Sequence, residues 1–127
     1  SNYSAELVQA FDTKQPHYLT RAKEFIHANA REDLTLEDIE SVAGIPRYKL
    51  FEGFKQYFGM SPMAYLKKYR LEQVRRILLS DRSYGNVSSI ALDWGFAHLG
   101  RFAIEYRKLF GEAPSQTLSR QQAKTGS

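Results

Sequence analysis

Apolar residues recur along this chain at three- and four-residue intervals, and no stretch alternates residue by residue as a strand would, so helices are expected throughout. Residues 1–15 are polar and aperiodic and are expected to form a linker or flexible arm. From about Pro16, Leu19, Ala22, Phe25, Ile26 and Ala30 line one face of a helix that stops near Asn29-Ala30. Thr35 then reads as an N-cap, with Asp38 three residues on completing a capping box. Leu36, Ile39 and Ala43 form the apolar face of a short helix that breaks at Gly44. Pro46 suits the start of the next helix, where its missing N–H costs nothing. That helix should run to Phe58 and end at Gly59, burying Leu50, Phe54 and Phe58. Ser61-Pro62 restarts the chain as cap and first-turn proline. A long helix, about Pro62 to Leu79, turns Tyr65, Leu66, Tyr69, Val74, Ile77 and Leu78 inward and Lys67, Lys68, Arg70, Arg75 and Arg76 largely outward. Asp81 to Asn86 is expected to be a loop. The chain is therefore read as all-α, with about seven helices.

The second half of the chain repeats the first. Ala43-Gly44-Ile45 matches Trp94-Gly95-Phe96 at an offset of 51, as Leu36 and Ile39 match Val87 and Ile90. Phe54 to Pro62 (FKQYFGMSP) matches Tyr106 to Pro114 (YRKLFGEAP) at an offset of 52. The one-residue slip falls between the turn and the body of the second helix. A short helix, a tight glycine turn and a longer helix make a helix-turn-helix, here present twice. The turn glycine serves a residue at positive φ, which a Cβ disfavours. Ala91 is small where two helices cross, whereas its counterpart Glu40 must point its carboxylate outward.

Charge sharpens the picture. The net charge is +4, but residues 1–40 hold four Lys/Arg against eight Asp/Glu, leaving fourteen against six in residues 41–127. A basic portion of this kind points towards a polyanion. With 127 residues and no cysteine, a modest core can form without disulfides or thiolate metal sites. No apolar run approaches the roughly 18–20 residues of a membrane span, and no secretory signal is evident. His17, His27 and His98 lack metal-ligand spacing, and no nucleophilic triad, phosphate loop or metalloprotease motif occurs. No catalytic, cofactor or metal site is therefore expected. The chain opens on Ser1-Asn2 rather than Met, and is expected to be part of a longer protein.

These residues resemble the C-terminal DNA-binding domain of the AraC/XylS transcriptional regulators. The strongest likeness is Asp93-Trp94-Gly95-Phe96 through Arg101-Phe102, then Tyr106-Arg107-Lys108-Leu109-Phe110-Gly111-Glu112-Ala113-Pro114. Leu50, Phe54-Lys55, Phe58-Gly59 and Ser61-Pro62 fit the first unit, and Tyr65-Leu66 through Arg70-Leu71 to Leu78-Leu79 the connecting helix, so about residues 16–120 are covered. The resemblance implies seven helices, two helix-turn-helix subdomains joined by one long helix, and insertion into adjacent major-groove segments. On that reading 16–60 is the first subdomain, 61–80 the connecting helix and 81–127 the second subdomain. A connecting helix of 18 residues would be about 27 Å long, near the roughly 34 Å repeat of one duplex face, with DNA bending taking up the difference. Longer members often add an effector-binding or dimerisation domain. The implied setting is the bacterial cytoplasm, with duplex DNA and RNA polymerase as partners and a monomeric fragment that a missing domain could dimerise.

On the first recognition helix the outward candidates are Pro46, Arg47, Tyr48, Phe51, Glu52 and Lys55. By resemblance Tyr48, Phe51 and Glu52 fall where family members contact bases. Glutamate can accept from cytosine N4, and an aromatic or aliphatic group can meet a thymine methyl. Arg47, Lys49 and Lys55 are expected on phosphate. Phe51 is also readable as core, and Glu52 as a solvated residue or a partner of Arg47 or Lys55. On the second recognition helix His98, Leu99, Gly100, Arg101, Ala103 and Ile104 flank the groove side, with Arg101 the best base or phosphate reader. Leu99, Gly100 and Ile104 carry no polar readers, so this unit is expected to attach mainly through phosphate, helped by Arg107 and the amino end of the following helix at Glu112-Ala113-Pro114. Two other classes stay open: a helical protein-interaction module whose basic residues serve solubility, and a catalytic protein with an appended DNA-reading domain. The first is separated from DNA binding by where Arg47, Lys55, Arg101 and Arg107 lie.

Overall fold

The computed structural model describes residues 14–80 and 85–126. Seven helices, with no strand among the described residues, run in order: α1 (His17–Asn29), α2 (Leu36–Ala43), α3 (Arg47–Phe58), α4 (Pro62–Leu79), α5 (Val87–Asp93), α6 (Leu99–Phe110) and α7 (Pro114–Gly126). Nearly all of the expected N-terminal arm, and residues 81–84 of the expected loop, lie outside the described residues.

The short helices begin alike. At α2 the Thr35 hydroxyl accepts from the Asp38 N–H, and the Asp38 carboxylate accepts from the Thr35 N–H. At α5 Asn86 and Ser89 make the same reciprocal pair. Each box satisfies two backbone donors that a helix start leaves orphaned. The turns that follow put Gly44 and Gly95 at φ of 71° and 89°. Gly95 has a second reason to lack a side chain, since a Cβ would sit 2.9 Å from the Arg70 guanidinium carbon.

The described residues divide into two compact units, 14–29 with 34–65 and 30–33 with 66–80 and 85–126, so α4 changes unit after Tyr65. In the first unit Leu19, Ala22 and Ile26 of α1 are fully buried with Ile39 and Ala43 of α2 and Leu50 and Phe54 of α3. Phe54 lies edge-on to Phe58 and Tyr65, at centroid distances of 5.0 and 5.6 Å. Arg21 donates to the Ala43 carbonyl at 2.8 Å, so a cation closes the C-terminal end of α2. Gly53 is buried facing α1, where a Cβ would collide with the Tyr18 hydroxyl and press on Leu19.

In the second unit the core is Leu71, Val74 and Leu78 of α4, Ile90 and Ala91 of α5, and Phe102 and Tyr106 of α6. Leu71 belongs to this core although the sequence reading left it out, while Tyr65, Tyr69 and Ile77, expected inward, are half-buried. A shift of 52 also carries Leu19, Ala22 and Ile26 of α1 onto Leu71, Val74 and Leu78 of α4. Helix α4 therefore closes the first unit with its opening turn and leads the second with the remainder.

Two basic residues expected on the outer surfaces of α4 are half-buried instead. Arg70 donates to the carbonyls of Ala30 and Glu32, each at 2.6 Å. Burial pulls its guanidinium below the ordinary value, opposed by Asp33. Arg75 lies over the Phe110 ring at 4.8 Å and faces the Glu112 carboxylate at 3.4 Å. Around it runs a polar chain: the buried Tyr106 hydroxyl donates to Thr117 at 2.8 Å, and the Thr117 hydroxyl donates to Glu112 at 2.5 Å. Arg120 closes on the other Glu112 oxygen. Hydrogen bonds from Arg120 and then Thr117 hold the Glu112 carboxyl at about 2, below its ordinary 4.5.

Two outcomes follow. The depressed Glu112 carboxyl contributes stability that is present above pH about 4.5 and is lost as pH falls towards about 2. Thermal unfolding from neutral to acid pH should thus show a steeper acid decline for the native chain than for Glu112→Gln; equal slopes would refute this. Gly53→Ala should lower stability by about 1–3 kcal/mol through overpacking against Tyr18 and Leu19, despite the better helix propensity of alanine, as read by denaturant titration.

Candidate nucleic-acid interface

Helix α3 buries Leu50, Gly53 and Phe54, and that stripe fixes what the helix shows to solvent. Opposite it lie Tyr48, Glu52 and Lys55, with Arg47, Phe51 and Lys49 on the flanks, all exposed. Tyr48 is 73% exposed and Phe51 37%, so Phe51 is an edge residue with an accessible ring face rather than a core residue. Pro46 caps the helix with φ −61° and ψ 152°, preceding the first helical residue rather than occupying it.

Glu52 makes no ion pair among the described residues, and Arg47 has other partners. Its guanidinium reaches Glu37 at 3.0 Å and Glu40 at 3.4 Å, both on α2. Glu37 responds: the hydrogen bond to its own backbone, then the bond from Arg47, holds its carboxyl below the ordinary range. Glu40 does turn its carboxylate away from the core, as its place at the helix crossing requires. Arg47 is thus half committed within the protein, and Lys49 and Lys55 are the cations on α3 without an ion pair among the described residues. Burial raises the Tyr18 phenol, and the negative potential of Glu52 adds to it.

Helix α6 copies α3 residue for residue at the offset of 52, from Leu99 on Arg47 to Gly111 on Gly59. Phe102 and Tyr106 are buried, which leaves Gly100, Ile104 and Arg107 as the central outward line, with Arg101 and Lys108 beside it. His98 is the exposed N-cap and makes no side-chain capping bond. Leu99 is half-buried against the core of its own unit, and Ala103 is half-buried too, so each offers a ligand only part of its surface. Arg101, Arg107 and Lys108 form no ion pair among the described residues. Lys108 was missed in the sequence, although its place next to Arg107 on an outward helix face could have disclosed it.

At the amino end of α7 the Ala113 N–H is occupied by the Gln116 side chain at 2.7 Å, and Glu112 holds a carboxylate there. Both features lessen what that terminus offers an anion. The stretch Asp93-Trp94-Gly95-Phe96 is structural: Trp94 lies under the Arg31 guanidinium at 5.6 Å and edge-on to Tyr69, and Phe96 packs on Phe102 at 4.8 Å. No group of three His, Cys, Asp or Glu side chains among the described residues could hold a metal. No helix among them is long and apolar enough to cross a membrane.

Comparison with known proteins gives a consistent result. Residues 39–120 match a family model described as a helix-turn-helix domain. The XylDLEGF operon transcriptional activator 2 of Pseudomonas putida is 39% identical over 100 residues, 78% of this chain and 64% of that protein. A second Pseudomonas putida protein, the XylDLEGF operon transcriptional activator, is 38% identical over 120 residues, 93% of this chain and 36% of that protein. The chain thus spans between about a third and two thirds of these relatives. Among solved structures, a probable AraC family transcriptional regulator from Rhodopseudomonas palustris superposes with a TM-score of 0.77 at 36% identity, covering 84% of this chain and 98% of that one.

Proposed function

The chain belongs to the AraC/XylS family of helix-turn-helix transcriptional regulators, and we propose that it is the operator-reading part of a bacterial regulator, docking α3 and α6 in two major-groove segments of duplex DNA. The observation that carries this reading is the twinned outward face. Two helices of equal length and equal register each bury one aromatic stripe and turn a cation-bearing face to solvent. Folding alone does not call for outward residues so placed on both helices. A major groove admits a helix of this width and surrounds it with phosphates.

On α3 we assign base reading to Tyr48, Phe51 and Glu52, the last through its carboxylate on an exocyclic amino group, and phosphate attachment to Pro46's turn, Lys49, Lys55 and, in part, Arg47. On α6, His98, Arg101, Arg107 and Lys108 serve the phosphates flanking Gly100 and Ile104. Hydrogen-bonded base readout is therefore concentrated on α3. RNA polymerase is the proposed protein partner.

Selection of bound sequences from random duplexes, at two salt concentrations, tests the reading. An enriched motif with two half-sites is expected. Weak binding with no motif would favour a protein-interaction module instead. Lys55→Ala and Arg107→Ala should each weaken binding about equally for all sequences and reduce the slope of log affinity against log salt by roughly 0.9. Glu52→Ala should relax preference at one base pair by about 1–3 kcal/mol. If Arg101→Ala relaxed it to the same extent, the division of labour between the helices would be wrong.

A further inference from the structure

Helix α6 carries two residues that the fold does not explain. Gly100 is in the first turn, exposed, with no atom within 4 Å of where a Cβ would lie and no positive φ. Alanine at a helical position of this kind restricts the unfolded chain more than glycine does and so favours the folded state, and nothing among the described residues requires glycine here. Gly53 on α3 is the contrast, since a Cβ there would displace the Tyr18 hydroxyl and press on Leu19. One turn beyond Gly100, on the same face, Ile104 exposes 61% of its surface at the position matching Glu52 on α3. Arg101, Arg107 and Lys108 surround this pair, none in an ion pair among the described residues.

An apolar knob beside a bare patch of backbone, framed by free cations, fits a polyanion that itself offers an apolar group. In the major groove that group is the C5-methyl of thymine. We infer that α6 reads its half-site through Ile104 packed on a thymine methyl, and that Gly100 lets the helix backbone approach the duplex closely enough for that contact. The second unit then discriminates bases without any hydrogen bond to them. This goes further than phosphate attachment alone for α6, and it rests on the reading of α6 as a DNA-docking helix.

Deoxyuridine, which pairs as thymine does but lacks the methyl, is the probe. Starting from a duplex recovered by selection, each thymine is replaced singly by deoxyuridine and the binding of the whole chain is measured. Loss of one buried methyl is expected to weaken binding about fourfold at one or two positions. In Ile104→Ala, which alters an exposed residue and should leave the melting midpoint unchanged, that sensitivity should disappear. Thymines that stay sensitive in this variant belong to Tyr48 or Phe51, and Tyr48→Ala or Phe51→Ala should silence those instead. Gly100→Ala should raise the melting midpoint yet weaken binding at least about fivefold, opposite movements that a purely structural glycine would not produce. The inference is overturned if no thymine responds to deoxyuridine, or if Ile104→Ala keeps the full response. If selection yields no motif at all, the DNA-reading proposal falls first and takes this one with it.

Discussion

Each recognition helix is oriented by the aromatic ring it buries. Phe54 and Tyr106 are both fully enclosed, and in a helix of 12 residues a single buried stripe of this kind permits one rotation about the axis. Turning α3 by one residue, about 100°, would expose Phe54 and bury Lys55, exchanging favourable apolar burial for the desolvation of an unpaired ammonium. The outward face is therefore a consequence of the inward one. Tyr48, Glu52 and Lys55 face solvent because Leu50, Gly53 and Phe54 cannot, and the same logic places Gly100, Ile104 and Arg107.

The two units solve one packing problem with different chemistry. At the slot behind the recognition helix, Phe54 meets Phe58 and Tyr65 through ring edges, and Phe54 itself brings no polar atom that needs a partner. Tyr106 adds a hydroxyl to the same slot, and a buried hydroxyl needs a partner. Thr117 supplies it, Glu112 satisfies Thr117, and Arg75 and Arg120 balance Glu112. One oxygen atom thus draws four further side chains into a defined network. That explains why Arg75, expected on an outer surface of α4, is tied to the core, and why Thr117 is fully buried.

The helices themselves were legible because their signals are local. Thr35 with Asp38, Gly44, Gly59, Ser61-Pro62 and the apolar periodicity each act within a few residues, and α2 to α4 begin and end where those signals lie. The glycine turn and its one-residue slip could also be read by laying the chain over itself. What stayed hidden depends on neighbours remote in sequence. Arg70 looks like a solvated base until Ala30 and Glu32 present their carbonyls to it, and Arg47 looks free until α2 brings Glu37 and Glu40 within reach. Leu99 reads as a groove residue by position, yet it packs half-buried on its own core. Periodicity also assigned α4 a single inward face and omitted Leu71, because a helix that serves two units has no single face.

The residues that identify the family and those that would choose its operator are different sets. Trp94, Gly95, Phe96 and Phe102 carry the likeness, and each is held by packing, by a positive φ or by the space that Arg70 fills. Changing them disturbs the turn in any member built this way, so they report the architecture rather than what this chain reads. Tyr48, Glu52, Gly100 and Ile104 contribute little to the cores, which leaves the fold free to carry other side chains there. A scaffold so arranged can alter its target without disturbing its cores, since the positions that face outward are those from which packing asks least.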